Sequence, residues 1–249
     1  MGEGAVMVTL NQVDSSWLPI IKKALKVLPS DYFSTINQSP FLPEENKIFN
    51  AFSLPLEKVQ YVLFGETPYP RAQSANGYAF WDAAVKEIWS ENGLSKPVNR
   101  ATSLRNFIKM LLVTESLLKP DNLTQEAISK IDKTHLVQTL PEFFNQMMDR
   151  GFLLLNASLI LREGKKNQDA KIWLPFMEII LKELYLKRPQ VKLILFGQIA
   201  KAIDQLPAAK PYKKLISEHP YNYSFIVNKE VQNFFRPLCL LRSLNSCFQ

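Results

Sequence analysis

The residue types best suited to chemistry in this sequence stand directly after short apolar segments. The segment Tyr61–Phe64 is wholly apolar or aromatic, and the loop Gly-Glu-Thr-Pro-Tyr-Pro follows it at positions 65–70. This loop offers a carboxylate in Glu66, a hydroxyl in Thr67 and an aromatic ring in Tyr69, with a proline on each side of the ring. A carboxylate and a hydroxyl can hold a water molecule, and the prolines restrict the backbone that presents them.

Two further polar side chains follow candidate strands in the same way. Asn156 comes after Phe152–Leu155, where a side-chain amide is costly to bury unless it is hydrogen-bonded. His219 comes after the segment 212–218. An amide donates and accepts hydrogen bonds at once, and a neutral imidazole can donate one, so both suit ligand binding. A strand-end cap for Asn156 and a locally hydrogen-bonded loop histidine for His219 remain alternatives at this point.

The hydrophobic periodicity indicates that strands and helices alternate along the chain. Strands are predicted at 59–65, 152–161, 191–197 and 212–220. Helices are predicted at 17–28, 104–118, 128–151 (as one or two helices), 172–188, 199–206 and 229–244. The segment 29–43 is predicted to be a loop.

This order predicts the fold class. Alternating strands and helices indicate an α/β fold of three layers, with a central, mostly parallel four-stranded sheet between helices. We expect one domain spanning 1–249. Ligand sites of open parallel sheets lie beyond the carboxyl ends of the strands, which is where the candidate residues stand.

Composition limits the possible functions. No apolar run approaches the ~20 residues of a membrane helix, and the segment 1–17 lacks the features of a secretory signal. The net charge of +7 and the pI near 9.3 permit a polyanionic partner such as a nucleic acid. Two cysteines, Cys239 and Cys247, and two histidines, His135 and His219, do not form a zinc-binding pattern. We therefore expect a cytoplasmic protein without metal or membrane contact.

An ordered series of motifs resembles the uracil-DNA glycosylase family. Segment 41–70 is similar to the family's approach to its water-activating loop, and Asn-Gly-Tyr-Ala-Phe at 76–80 resembles its Gly-Leu-Ala/Cys-Phe. The other matching segments are Ser-Leu-Arg-Asn at 103–106, Leu-Leu-Leu-Asn at 153–156, the strand at 191–197 and His-Pro-Tyr-Asn-Tyr-Ser at 219–224. The matches run in family order from about Phe41 to Phe235, and this order is more specific than any one motif.

The resemblance implies a DNA repair enzyme, a glycosidase of base excision repair that flips uracil out of DNA and hydrolyses its N-glycosidic bond. By resemblance, Asn156 reads the hydrogen-bonding edge of the base and Phe80 stacks on its face. Tyr69 would crowd the C5 position and exclude thymine. His219 would donate a hydrogen bond to uracil O2 as charge develops there. An ordinary core position for Phe80 and a simple Pro-Tyr-Pro turn for Tyr69 are the alternatives.

The resemblance also implies contacts with DNA. The positions that fall where the family grips DNA are Pro68, Ser103, Gln198, Pro220, Tyr223 and Ser224. Short hydroxyls and backbone N–H groups can hold phosphates without reading sequence, although a serine before a helix is often only an N-cap. The expected partner is uracil-containing DNA, single- or double-stranded, bound by a monomer that needs no cofactor.

The water-activating loop departs from the family pattern. The family has Gln where Glu66 stands, Asp where Thr67 stands and His where Pro70 stands. Thr67 can bind water but has no charge to offset a positively charged sugar. The family's intercalating Leu is replaced by Tyr223, whose ring could still stack in DNA.

Three interpretations follow from these departures. In the first, Glu66 takes over the role of the missing acid, as "GETP" resembles the Gly-Glu-Ala-Pro of another class of the superfamily, and the chain is a divergent glycosylase. In the second, the fold is kept without catalysis, and the chain is a DNA-binding or protein-interaction module. In the third, the chain is a structural domain whose basic charge is incidental. The presence of Tyr69, Phe80, Asn156 and His219 together favours the first.

Overall fold

The computed structural model describes residues 9–36 and 39–243. The strands are β1 (Phe41–Leu42), β2 (Tyr61–Gly65), β3 (Trp89–Ser90), β4 (Gly93–Leu94), β5 (Phe152–Asn156), β6 (Leu161–Arg162), β7 (Lys192–Phe196) and β8 (Lys213–Ser217). The α-helices are α1 (Leu18–Leu25), α2 (Tyr32–Ile36), α3 (Lys96–Arg100), α4 (Thr102–Thr114), α5 (Gln125–Ser129), α6 (Leu140–Asp149), α7 (Lys166–Lys187), α8 (Gln198–Asp204) and α9 (Lys229–Phe235).

The central sheet has four strands in the order β5-β2-β7-β8 and is flanked by helices, so the predicted α/β fold class is confirmed. Strand β2 pairs in parallel with β5 and with β7. All five residues of β5 are buried, as are the last four of β2 and of β7. Such continuous apolar strands are expected where helices cover both faces of a parallel sheet.

The described residues fall into two compact units. Of the described residues, the first unit comprises 9–36, 39–82, 151–195 and 199–214, and the second comprises 83–150, 196–198 and 215–243. Because each unit is assembled from separate stretches of chain, no single linker divides them. The prediction of one domain over 1–249 stays a prediction.

The core of the first unit is rich in aromatic rings. Trp17, Phe52 and Phe176 are fully buried, and Phe176 lies edge-on to Trp173 with the ring centroids 5.0 Å apart. Edge-to-face packing of this kind adds roughly 0.5–1.5 kcal/mol to the stability that burial alone provides. The packing fixes α7, whose first turn lies close to the end of β6.

The second unit has its own aromatic core and one buried acid. The ring of Phe107 on α4 lies 5.4 Å from that of Phe235 and 6.1 Å from that of Phe225. Glu115 follows α4, and its carboxylate accepts a hydrogen bond from the backbone N–H of Leu241 at 2.9 Å. Burial raises the pKa of Glu115 to about 7, although that hydrogen bond opposes the shift.

Four predicted elements differ from the structure. The segment 128–151 is helical only at the end of α5 and in α6, whose N-terminus is capped by Thr139, and the strand predicted at 152–161 ends as β5 at Asn156. The segment 29–43, predicted as loop, contains α2 and β1, because Tyr32 and Ile36 bury one face of α2 and the Tyr32 hydroxyl accepts a hydrogen bond from the Trp173 indole at 3.0 Å. The helix predicted to run to 244 ends at Phe235, since Pro237 follows and Cys239 has a left-handed backbone with φ 44°. Cys247 and the first eight residues of the segment 1–17 lie outside the described residues.

None of the helices in the described ranges is long and apolar enough to span a lipid bilayer.

Candidate functional site

The ends of β2 and β5 lie side by side and place the first candidate residues together. In the parallel register, Gly65 is opposite Asn156. The pairing continues past the strands, because the N–H of Ala157 donates to the Gly65 carbonyl at 2.9 Å and that of Ser158 donates to the Glu66 carbonyl at 3.0 Å. The loop at 65–70 therefore starts beside the Asn156 side chain, as the sequence predicts for parallel strands.

Gly65 is required by the close approach of the Asn156 amide. A Cβ atom at position 65 would overlap Asn156 Oδ1 and would lie 2.9 Å from the Cβ of Ala79. Real Cβ atoms do not approach other atoms so closely, so any larger residue would displace the amide. The glycine thus fixes where the Asn156 side chain can stand.

The Asn156 side chain is nearly buried and has no hydrogen-bond partner among the described residues. Only 3% of the residue is exposed, and no hydrogen bond joins its amide to another residue in the described ranges. A ligand that offers both an acceptor and a donor can therefore form hydrogen bonds with this amide. A strand-end cap would instead hydrogen-bond neighbouring backbone, so the structure does not favour that alternative.

The chain near Phe80 is held against β5 in an unusual conformation. The N–H of Ala79 donates to the Leu154 carbonyl at 3.1 Å. Phe80 has φ 64°, a left-handed backbone that non-glycine residues rarely adopt. Such conformations cluster at functional sites, where the surrounding structure holds them in place.

Tyr69 supplies one of the contacts that hold this conformation. Its hydroxyl donates to the Phe80 carbonyl at 3.1 Å. Burial, and to a smaller extent the Asp82 carboxylate, raises the pKa of Tyr69, so the hydroxyl keeps its proton and remains a donor. Asp82 is in turn bound by Arg71 at 2.8 Å. Tyr69, Phe80 and Asn156 are therefore linked through adjoining strand ends of the first unit.

The two candidates for the water-activating role occupy different environments. The Glu66 carboxylate is about half-exposed and forms an ion pair with the Lys166 ammonium at 2.9 Å. Thr67 is partly buried, and Pro68 beside it is buried. Lys166 is the first residue of α7, 100 positions away in the chain, and no sequence motif singled it out.

His219 lies in the second unit, in the segment that follows β8. Its Nδ1 accepts a hydrogen bond from the N–H of Tyr221 at 3.1 Å. In a neutral ring the proton then lies on Nε2, which is the donor that the predicted role requires. Gly197, with φ 68°, follows β7, and a Cβ there would lie 2.8 Å from the His219 Cβ. That His219 serves the same base as Asn156 stays a prediction.

Asn106 holds the His219 segment in place, a role that sequence reasoning missed. The residue is 3% exposed, and its Nδ2 donates to the carbonyls of Pro220 at 2.8 Å and of Tyr221 at 3.2 Å. Asn106 belongs to the Ser-Leu-Arg-Asn motif, which was a signal for its importance. Its partners are 114 and 115 positions away, so its role could not be assigned from local sequence.

The residues expected to contact DNA are partly accessible. Ser103 lies in the first turn of α4, partly buried, and Pro220 is buried. Those that are exposed are Gln198 at the start of α8, Tyr223 and Ser224. Burial alone would raise the pKa of Glu218, but hydrogen bonds from its own backbone N–H, Ser224 and Asn228 lower it. The DNA-binding roles predicted for Pro68, Ser103, Gln198, Pro220, Tyr223 and Ser224 stay predictions.

The chain resembles known proteins in sequence and in structure. No family model matches the chain. The uracil-DNA glycosylase of Streptococcus mutans is 29% identical over 216 residues, which cover 83% of each chain. That of Campylobacter hominis is 28% identical over 222 residues, or 84% of this chain and 79% of the relative. The crystal structure of wild-type UNG (the abbreviation of uracil-DNA glycosylase) from Nitratifractor salsuginis is 41% identical, covers 94% of each chain and has a TM-score of 0.89. The chain belongs to the uracil-DNA glycosylase family.

A more distant member of the family shares the fold. The solved mimivirus uracil-DNA glycosylase is 16% identical, with a TM-score of 0.59 over 87% of this chain and 72% of that one. The resemblance seen in the sequence motifs is thus confirmed at the level of the family. The water-activating role that the sequence resemblance assigns to the loop with Glu66 and Thr67 stays a prediction.

Proposed function

We propose that this chain is a DNA repair enzyme that removes uracil from DNA by hydrolysing the N-glycosidic bond. Two kinds of observation support the proposal. The chain is 41% identical to a solved UNG over 94% of its length, and curated uracil-DNA glycosylases match 83% of it. The observation that carries the proposal is the Asn156 side chain at the end of β5, which is 3% exposed and has no hydrogen-bond partner among the described residues, so its amide can bind a base edge.

Base recognition would use the three linked residues of the first unit. An extruded uracil presents an O4 acceptor and an N3–H donor, which the Asn156 amide can satisfy together. Phe80, held at φ 64°, would stack on the base. Tyr69, hydrogen-bonded to the Phe80 carbonyl, would stand where the methyl group of thymine projects.

The chemical step needs charge stabilisation on both sides of the breaking bond. The C1′–N1 bond breaks with both electrons leaving on uracil, which leaves an oxocarbenium-like sugar. His219, through Nε2–H, would stabilise the negative charge on uracil O2. Water then bonds to C1′, and the proton that it loses restores neutral uracil.

Glu66 is the carboxylate that we assign to the positive sugar and the water. It is the one charged residue in the loop at 65–70, since Thr67 replaces the family's Asp. Its ion pair with Lys166 holds the carboxylate in a defined position. Thr67 would contribute a hydrogen bond to the water without charge.

A uracil-excision assay tests this proposal. Single-stranded DNA with one uracil should acquire abasic sites when incubated with the wild-type chain. Asn156→Ala should slow excision about 100-fold, because two hydrogen bonds to the base together contribute up to ~3 kcal/mol and each ~1.4 kcal/mol is tenfold in rate. An unchanged rate in Asn156→Ala would remove the basis of the proposal.

A second function is a DNA-binding or interaction module of the same fold without catalysis. The observation in its favour is that Thr67 stands at the family's Asp position and that Glu66 is already engaged by Lys166. Absence of abasic sites together with salt-sensitive DNA binding would support this function. Absence of binding as well would leave only a structural role.

The remaining expectations about the cell and the assembly rest on sequence. A cytoplasmic location is in keeping with the presence of only two cysteines in 249 residues. Uracil-containing DNA as partner, a monomeric state and activity without cofactor or metal are part of the same proposal. Activity in the presence of a chelator and the mass in solution are the direct measurements.

A further inference from the structure

An ion pair joins two segments of the first unit just outside the motifs at 65–70 and 76–80. Arg71 Nη2 donates to Asp82 Oδ2 at 2.8 Å, and neither residue belongs to the segments that carry the family resemblance. The Asp82 side chain is only 4% exposed, whereas that of Arg71 is 56% exposed. A buried charge is costly unless it is paired, so the Arg71 guanidinium is needed to keep the Asp82 side chain in this position.

The same two segments are tied at a second point by Tyr69, whose hydroxyl donates to the Phe80 carbonyl at 3.1 Å. Both links join residues 11 positions apart. Tyr69 and Arg71 are neighbours but one in the first segment, and Phe80 and Asp82 are neighbours but one in the second. The two links therefore act side by side, and the ion pair limits how far the Tyr69 ring can move from Phe80.

The charges of the ion pair lie close to the Tyr69 hydroxyl. Burial is the main cause that raises the pKa of Tyr69, the Asp82 carboxylate raises it further, and the Arg71 guanidinium lowers it. Electrostatic effects weaken with distance, so both charges stand near this hydroxyl. Loss of either charge would change the surroundings of the hydroxyl as well as the link between the segments.

The segment 76–80, which leads to Asp82, is anchored elsewhere in the first unit. The Asn50 amide donates to the Asn76 carbonyl at 2.8 Å. The N–H of Ala79 donates to the carbonyl of Leu154 on β5 at 3.1 Å. The ion pair therefore fastens the preceding tyrosine-bearing loop to a segment that is already fixed.

We propose that the ion pair between Arg71 and Asp82 is a positioning clamp, which holds the Tyr69 ring where it excludes a methyl group at C5 of the base. The clamp rests on the proposed function, in which Tyr69 stands beside C5 of an extruded uracil. A ring that can move away leaves room for a methyl group, so the selectivity for uracil over thymine depends on the ion pair as well as on the ring. Arg71 and Asp82 act through Tyr69 and are positioning residues.

The test compares two DNA strands that differ by one methyl group. Each is a fluorescent single strand of about 15 nucleotides with one central 2′-fluoro-2′-deoxyuridine or its 5-methyl counterpart. The fluorine prevents excision, because it withdraws electrons from the C1′ that becomes positive in the transition state. The discrimination ratio is the Kd of the methylated strand divided by that of the unmethylated strand. Excision of an ordinary uracil strand is measured in parallel.

Loss of the clamp should lower this ratio. The wild-type ratio should be at least about ten, and Arg71→Ala should reduce it about tenfold, which corresponds to ~1.4 kcal/mol. Asp82→Asn should reduce it by a similar factor. If Arg71→Ala does not fold, the double variant Arg71→Gln with Asp82→Asn carries the same prediction, because it leaves no buried charge without a partner.

Three controls separate positioning from a general loss of structure. Arg71→Lys should keep the ratio within about threefold of the wild type, since an ammonium can form the same single contact with Asp82. Lys23→Ala is the matched variant, because its ammonium is 58% exposed and pairs with Glu183 in the same unit, and its ratio should equal that of the wild type. In a Tyr69→Ala background there is no ring to position, so adding Arg71→Ala should change the ratio less than about twofold.

The outcomes distinguish the clamp from the proposed function and from a role in stability alone. A wild-type ratio in Arg71→Ala would overturn the clamp even if its thermal unfolding midpoint fell. A wild type that does not distinguish the two strands, a ratio in Arg71→Lys or Lys23→Ala as low as in Arg71→Ala, or a further tenfold loss in the Tyr69→Ala background would also overturn it. Loss of discrimination in Arg71→Ala, in a chain whose wild type excises no uracil, would support the clamp and refute the proposed catalysis. Uracil excision together with an unchanged ratio in Arg71→Ala would leave the proposed function standing without the clamp.

Discussion

The contact between Gly65 and Asn156 leads to a test of the base-reading assignment by a single methyl group. Gly65 has an ordinary backbone conformation, so alanine would cause no backbone strain there. Its Cβ would, however, overlap Asn156 Oδ1 and approach the Ala79 Cβ to 2.9 Å. The cheaper response is rotation of the Asn156 amide, because the Ala79 backbone is fixed by its bond to Leu154.

The expected magnitudes follow from this displacement. Overpacking of a buried position costs ~1–3 kcal/mol of folding free energy, so Gly65→Ala should remain folded but less stable. Loss of the two hydrogen bonds between the amide and the base would slow uracil excision between ~10-fold and ~100-fold. The excision rate should fall at saturating DNA, since the amide contacts the base and not the DNA backbone.

A double-mutant cycle tests whether Gly65→Ala acts through the Asn156 amide. In an Asn156→Ala background the amide is absent, so adding Gly65→Ala should slow single-turnover excision less than threefold further. The assay measures abasic-site formation in single-stranded uracil DNA at excess enzyme, with thermal unfolding as the measure of folding. If the rate loss of the double variant equals the product of the two single-variant losses, the substitutions act independently. Gly65→Ala would then not act by displacing the Asn156 amide.

Three further predictions concern the acid, the His219 segment and pH. Glu66→Gln should abolish excision while Thr67→Ala lowers it less, and the opposite order of rates would show that the acid is wrongly assigned. Asn106→Ala should lower the free energy of unfolding by ~1–3 kcal/mol and also slow excision, and a normal rate in the destabilised variant would restrict Asn106 to stability. Burial raises the pKa of Glu115 from 4.5 to about 7, so the folded carboxyl keeps a proton that the unfolded one has lost. The free energy of unfolding should therefore fall as pH rises from about 4.5 to about 7, by up to ~1.4 kcal/mol per pH unit, and Glu115→Gln should remove this slope in denaturant titrations.

Local sequence determined the elements that position the candidate site. The strands β2, β5 and β7 are continuous apolar runs, because a parallel strand covered on both faces has no solvent-facing side. Polar residues that follow such strands stand at the carboxyl edge, where Glu66 and Asn156 are found. Pro237 indicates an end for α9, but the apolar residues beyond it led to the wrong prediction of a helix running to 244.

Tertiary structure decided which of these side chains have partners. The Lys166 ammonium contacts the Glu66 carboxylate from 100 positions away in the chain. The hydrogen bond from Tyr69 to the Phe80 carbonyl, and the lack of a partner for the Asn156 amide among the described residues, also depend on how the loops fold together. The hydrogen bond from the Asn106 amide to the Pro220 carbonyl joins residues 114 positions apart. Hydrophobic periodicity reports which face of an element is buried, but it carries no information about which polar atom lies opposite another. For that physical reason the chain alone identified the candidate residues, whereas only the fold could assign a donor, an acceptor or an exposed ring to each.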